Sequence, residues 1–383
     1  MTAPTAAGPE SGSGSAAPGI DGILETVATA APGPAVAVVV LRGDESAVLC
    51  RGASPGTRFE LGSVTKTFTA LLLAEMAARG EVRLDAPIGE HLPADLLPEG
   101  HGDRITLTHL ATHTSGLPRL PPGLMRMALP RWYTNPYETF TPDHLLRALP
   151  RTRVRRPPGT RVRYSNFGVG LLGRLLADAA GADYGDVLAA RVLEPLGLED
   201  TTCDPALPQA TGHLRGRPRP PWLIPGLPGA GALRSSARDM GRCLAALLSP
   251  PADAGDTLRA ALHEVTRPRV TEPGGDQVCL VWKRRTVPAD DGGTHGLLFH
   301  SGGTRGFTSF AGFSPSARTA LAALGNGSPT LRGTFIRAAY RALRGLTAAA
   351  PSRRPAGPSD GGSADGGSAA GSRRPAGRAG PAS

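Results

Sequence analysis

Residues 63–80, SVTKTFTALLLAEMAARG, read as a helix closed by Gly80. The stretch FTALLLAEMA within it is apolar nearly all round and leaves no polar stripe for solvent. Such a helix has to be covered on every side. A chain of 383 residues is long enough to do that, as one large domain or two. The helix also carries Lys66 in its first turn. Lysine occurs only at 66 and 283, although the chain holds 42 Lys plus Arg. A bias toward Ala, Gly, Pro and Arg explains why lysine is scarce, but not where the survivors sit. Arginine stays protonated at working pH, whereas a desolvated lysine can become a neutral amine. Burial is therefore expected to lower the Lys66 pKa and make it a proton acceptor.

The rest of the chain supplies the cover. AVAVVVLRGDESAVLCRG, residues 35–52, reads as a β-hairpin around a GDES turn. Capped helices are predicted at 106–116, 141–149, 165–181 and 235–249, with Thr141, Ser165 and the Ser235–Ser236 pair as starts. Strands are expected again at 276–285, 306–314 and 319–326, and a closing helix at 330–346. Strands at both ends with helices between imply an α+β fold. An antiparallel sheet is built from N- and C-terminal segments and flanked by helices, with a mostly helical lobe inserted. The expected boundaries are a body at 19–348, with the α/β part at about 19–80 and 232–348 and the helical lobe at about 81–231. Residues 1–18 and the basic tail 349–383 are rich in Gly, Ser, Pro and Ala, lack apolar period and are expected to be disordered.

The formal charge of +10 raises the question of a nucleic-acid partner. Five arginines lie in the tail and seven within 147–163, with no recognisable nucleic-acid motif around them. No nucleic-acid partner is expected. The 147–163 stretch leads into Tyr164 and is either an exposed charged connection or a stretch that steers an anionic substrate. The four cysteines, at 50, 203, 243 and 279, form no CxxC and read as reduced thiols. No basic n-region followed by an apolar h-region opens the chain, and no run is long enough to span a membrane. The expected location is the cytoplasm. His109 and His113 have helical i, i+4 spacing, but Leu110 stands where a zinc protease needs Glu. They read as structural, Ser115 as a turn residue, and no metal or cofactor is expected. A P-loop, G-x-x-x-x-G-K-[ST], is absent from the sequence. The aromatic run RWYTNPYETF, 131–140, either lines an acyl pocket or forms a satellite cluster.

Ser63 and Lys66 are three positions apart, which on a helix puts both on one face with Cβ atoms about 5–6 Å apart. Free N–H groups in the first turn favour a developing oxyanion. A lysine of lowered pKa beside a serine is a way to activate a poor nucleophile. Y-x-N at 164–166 sharpens this reading, because a chance Y-x-N in this composition is expected only about 0.04 times. H-x-G at 300–302 is expected about once by chance and adds little alone.

In this order, S-x-x-K, Y-x-N and [KH]-x-G resemble the signature of the serine β-lactamase and penicillin-binding-protein superfamily. The lines ITLTHLATHTSGLP, PPGTRVRYSNFGVGLLGRLLADAAG, GAGALRSSARDM and HSGGTRGFTSFAGFSP resemble its class C branch, which also holds D,D-peptidases, D-aminopeptidases and EstB-type esterases. The resemblance spans about 59–315 and implies the β-lactamase/transpeptidase-like fold. It implies Ser63 as the acylated nucleophile, with Lys66 and Tyr164 sharing its proton. It implies Asn166 as a hydrogen-bond partner of Lys66 and of the substrate's acyl side chain. His300, Ser301 and Gly302 would edge the strand flanking the substrate, and the amides of Ser63 and Gly303 would form the oxyanion hole.

The family's β-lactamases usually carry Lys-Thr-Gly where this chain has His-Ser-Gly. Histidine is largely neutral at pH 7. That favours a small ester or amide that need not present a carboxylate over a β-lactam or a D-alanyl-D-alanine peptide. The expected activity is a serine hydrolase or acyltransferase with a small-molecule acyl substrate. β-Lactamase, D-alanyl-D-alanine carboxypeptidase and D-aminopeptidase are the alternatives. An idle relative that binds a partner through the cleft or basic tail is the alternative from another class.

Overall fold

The computed structural model describes residues 19–131 and 134–352. Residues 1–18 and 353–383, expected to be disordered, and Trp132 and Tyr133 of the aromatic run lie outside the described residues. Eight strands make one sheet: β1 (Val36–Arg42), β2 (Glu45–Arg51), β3 (Val270–Thr271), β4 (Gln277–Val278), β5 (Lys283–Pro288), β6 (Thr294–Gly303), β7 (Thr308–Ser314) and β8 (Thr319–Gly325). Their spatial order is β2-β1-β8-β7-β6-β5-β4-β3. Every pairing is antiparallel, and β1 joins the two chain ends by setting Val36 opposite Gly325 and Arg42 opposite Thr319.

Helices α1 (Ile20–Thr29), α6 (Ala237–Leu248) and α8 (Thr334–Ala349) cover the sheet, and α2 (Thr65–Ala78), α3 (Leu107–Ala111), α4 (Pro142–Ala148), α5 (Asn166–Ala180) and α7 (Asp256–Glu264) build the helical part of the body. Successive side chains of a strand face opposite ways. Val36, Val38 and Val40 pack with α1 and α8, whereas Ala37, Val39 and Leu41 join the larger core that contains α2 and α6. This explains why AVAVVVL is continuously apolar although its sheet is antiparallel: helices cover both faces. Each valine so buried contributes about 1.5–3 kcal/mol.

Thr65 through Met76 of α2 are all buried. The helix is packed against α5 and α7, which leaves no face for water. Glu75, its buried acid, is neutralised by Arg79 and accepts from Thr257 Oγ1 at 3.0 Å.

Several expected elements are differently cut. The hairpin turn is Gly43–Asp44, narrower than GDES, with Gly43 at φ 60°. The expected helix 106–116 stops after Ala111, because His113 takes a left-handed φ of 59°. The expected strand 276–285 is two strands, broken where Val281 reaches φ 67° and donates its N–H to Ala111 O at 2.8 Å. The β6 strand, with His300–Gly303 inside it, was expected from the family resemblance and not from the residue pattern, and α1 and α7 were not expected as helices. Order extends past 348: α8 reaches Ala349, and Ser352 Oγ donates to Asp291 at 2.8 Å.

Candidate active site

A tight 3-10 turn, Gly62–Val64, leads into α2, so Ser63 lies just before the α-helix and not in its first turn. Lys66 lies in that first turn and is fully buried. Its Nζ donates to Ser63 Oγ at 3.0 Å and to the Ala230 carbonyl at 2.6 Å. The Tyr164 hydroxyl donates to Ser63 Oγ at 2.6 Å. Three of the expected residues thus meet on one oxygen. Burial lowers the Lys66 pKa; the neighbouring Tyr164 offsets part of the effect, and the Arg119 cation adds to it.

Tyr164 is held by what flanks it. Ser165 caps α5, its Oγ accepting from Gly168 N at 2.8 Å and donating to Pro118 O at 2.7 Å. His113 fixes both neighbours: its carbonyl accepts from Arg163 N at 2.7 Å and its Nδ1 from Ser165 N at 3.3 Å. Its ring lies 4.6 Å from the Tyr164 ring. An accepting Nδ1 requires the neutral ring, and burial drives the His113 pKa well below 6.5. His109 instead bonds Thr106 N in a capping box, so the two histidines serve different ends. Among the described residues no group of three or more His, Cys, Asp or Glu could hold a metal.

Asn166 departs from its expected role. No hydrogen bond joins it to Lys66, whose amine is committed to Ser63 and Ala230. Its Nδ2 donates to Tyr137 OH at 3.3 Å, and its buried Oδ1 has no partner. Tyr137 in turn packs on Trp222, with ring centroids 5.4 Å apart, on the Asn166 side of the site.

The opposite wall is β6. Its pairing with β5 ends at Phe299, so the β5-facing edge of His300–Gly303 has no strand partner. Thr304 N donates to Phe307 O of the β7 side. By antiparallel alternation the Gly303 amide points the other way, toward the Ser63 turn. Glycine is needed here. A Cβ on Gly302 would lie 2.1 Å from Leu61 O and 2.9 Å from Ser63 N, and one on Gly62, at φ 50°, would lie 2.7 Å from Gly303 N. Ser309 Oγ donates to Leu61 O at 2.7 Å and Thr304 Oγ1 to Glu60 at 2.7 Å, which pins the Ser63 turn to β6 and β7. The amides of Ser63 and Gly303 are therefore brought side by side.

His300 lies beyond Tyr164, ring centroids 6.4 Å apart, with its Nδ1 buried and unpartnered. Burial first, and the Lys66 charge second, push its pKa down to about 3, so it is neutral near pH 7. Ser63, Arg119, Tyr164, Lys283, His300 and Gly303 are among the residues lining a cleft of about 640 Å³. Arg119 is exposed and stacks its guanidinium 5.1 Å over the Tyr164 ring. No carboxylate pairs with it among the described residues. Lys283 is held between Glu272 at 3.2 Å and Asp276 at 3.1 Å. Sequence reasoning missed Ala230 and Arg119, and gave His113 a structural role without its tie to Tyr164. The first acts through a backbone carbonyl, which any residue supplies, and the others lie far from the nucleophile in the chain.

Among the described residues no helix is long and apolar enough to cross a membrane. A family model described as Beta-lactamase matches residues 23–346. The chain is 26% identical over 322 residues to the D-alanyl-D-alanine-carboxypeptidase/endopeptidase AmpH of Escherichia coli strain K12, covering 78% of this chain and 80% of that one. It is 31% identical over 240 residues to a beta-lactamase of the same strain, covering 61% and 59%. In fold it is similar to a class C beta-lactamase from Rhodobacter sphaeroides, with a TM-score of 0.70 and 26% identity over 84% of this chain and 97% of that one. The serine, amine and phenol gathered on one cleft wall accordingly belong to a chain that is a member of the beta-lactamase family.

Proposed function

We propose that this chain is a serine hydrolase that acylates Ser63 with a small ester or amide. The convergence of Lys66 Nζ and Tyr164 OH on Ser63 Oγ carries this reading. With Lys66 neutral, the contact at 3.0 Å carries the Ser63 proton to the amine as Oγ attacks the substrate carbonyl. The carbonyl oxygen becomes an oxyanion between the amides of Ser63 and Gly303. Collapse breaks the bond to the leaving group, which takes the proton back through Lys66 and Tyr164. Water, activated by the same pair, then attacks the acyl-enzyme and releases the acid, and the proton returns to Ser63 Oγ. The orphaned Asn166 Oδ1 is placed to accept an N–H from an amide substrate.

Neutral His300 supports the preference for substrates that carry no carboxylate at the β6 wall. A second reading, a carboxypeptidase or beta-lactamase, is favoured by one observation: Arg119 leaves an unmatched cation beside Tyr164, able to hold a carboxylate in place of the missing lysine. A binding protein with an idle site is disfavoured, because the contacts on Ser63 are complete.

Intact mass after incubation with p-nitrophenyl esters, D-alanyl-D-alanine peptides and a cephalosporin tests the acyl-enzyme. One acyl adduct is expected on the wild type and none on Ser63→Ala; an adduct surviving in that variant overturns the mechanism. The highest kcat/KM is expected for the neutral ester. A dominant rate with the peptide or the cephalosporin selects the second reading.

A further inference from the structure

Arginines 151, 153, 155, 156, 161 and 163 line one hollow of about 560 Å³. No acidic residue lines it, and the flanking acids in the chain are as far off as Asp143 and Asp178. None of the six guanidinium groups makes an ion pair or side-chain hydrogen bond among the described residues. Three arginines elsewhere in the same lobe are matched, Arg131 with Glu138, Arg174 with Asp178 and Arg191 with Glu81, and the unmatched ones such as Arg119 and Arg126 are not gathered in this hollow. Six like charges in a concavity repel one another, and its low-dielectric walls focus the field outward. The guanidinium fork is shaped for phosphate and carboxylate oxygens.

We propose that this hollow binds a small polyanion, a ligand with two or more phosphate or carboxylate groups, and that it seats the charged end of the substrate. Its volume suits such a group and not a duplex. No aromatic side chain lines it for base stacking, which counts against a single-stranded nucleic acid. The hollow is linked to the catalytic cleft by shared walls through a third hollow. Arg156 and Arg161 also line a neighbouring hollow of about 1020 Å³, and that one shares Val162, Glu272 and Lys283 with the cleft that holds Ser63. A ligand threading all three would set its anionic end among the arginines and its carbonyl at Ser63. The substrate half of the proposal rests on the acyl-enzyme reading above; the binding half does not.

Calorimetric titration of the full chain with inorganic tripolyphosphate and with citrate, at about 150 mM salt, tests the binding half. Saturable binding of at least one is expected, and the tighter of the two identifies the anion type. Arg155→Gln/Arg161→Gln should weaken it by roughly tenfold or more. Arg341→Gln/Arg344→Gln removes the same charge from the exposed face of α8 and should leave affinity within about twofold. No saturation with either anion, or equal loss in both variants, overturns the site. Tighter binding of oligothymidylate than of tripolyphosphate at equal phosphate concentration assigns the surface to nucleic acid and overturns the small ligand.

For the substrate half, kcat/KM is compared for a neutral ester and an ester with a tricarboxylate tail. Arg155→Gln/Arg161→Gln should lower only the second, by roughly tenfold; equal rates for the tailed ester in variant and wild type overturn it. Failure of both esters to acylate Ser63 in the wild type sinks the hydrolase reading and leaves the titration result standing.

Discussion

The two lysines of this chain serve one cleft in opposite states. Lys66, behind the nucleophile, is fully buried with no carboxylate beside it, and loss of water lowers its pKa. Lys283, on the outer wall, is 39% exposed. Partial burial alone would lower its pKa too, but bonds to Asp276 and Glu272 raise it. What replaces water around an amine decides its protonation more than its distance from the reaction centre. A carbonyl and two hydroxyls leave Lys66 free to give up a proton, whereas two carboxylates hold the charge on Lys283.

Replacing each lysine by arginine is the strongest way to break this comparison. Lys66→Arg keeps a cation but cannot accept the serine proton, so kcat/KM with an activated ester should fall on the order of 10³-fold or more. Lys283→Arg should stay within about threefold, because an arginine can still pair with both acids. Equal effects at the two positions would show that charge, not deprotonation, is what Lys66 contributes.

The pH dependence sharpens the contrast further. On the proposed mechanism Lys66 acts as the neutral amine, so kcat/KM should rise with pH along a limb lying below the ordinary lysine value of 10.5. Arg119 helps to lower that pKa, so Arg119→Gln should move the limb to higher pH and cost a few-fold in rate at neutral pH with a neutral ester. A limb that does not move would separate Arg119 from the proton transfer.

The smallest effect concerns stability. Hydrogen bonds from Arg285, then from Lys283, hold the Asp276 carboxyl down at about 2 from its usual 3.8. A depressed acid stabilises the fold above its unfolded value and loses that contribution as pH falls toward 2. Asp276→Asn should therefore cost about 1 kcal/mol or less at pH 7 for this part-exposed group. In urea unfolding its gap from the wild type should close on acidification from about pH 4 to about pH 2.

Helices that announce their own ends were readable from the sequence. Thr141, Ser165 and Ser236 cap as expected because a cap is decided by its neighbours three residues on. The sheet was half readable. Runs such as TALAALG stand out, but β6, THGLLFHSGG, carries two histidines and three glycines and is a strand only because β5 and β7 flank it. The break at Val281 was hidden, since a β-branched residue is a poor guess for a left-handed backbone. In the site, Ser63, Lys66 and Tyr164 were legible through spacing and rarity. The freedom of Asn166 Oδ1 and the Ala230 carbonyl on Lys66 depend on packing between distant segments and left no local trace.

The seam between Gly62 and Gly302 has a consequence for the order of assembly. The chain makes Ser63 and Lys66, the proposed nucleophile and base, early and within four residues, yet the second amide of the proposed anion pocket comes from position 303, on a strand whose sheet closes only when β8 meets β1. Contacts of such long sequence separation form slowly. A nascent polypeptide halted before that strand holds the reactive pair without the means to stabilise what it would create, so chemical competence arrives together with sheet closure and not before.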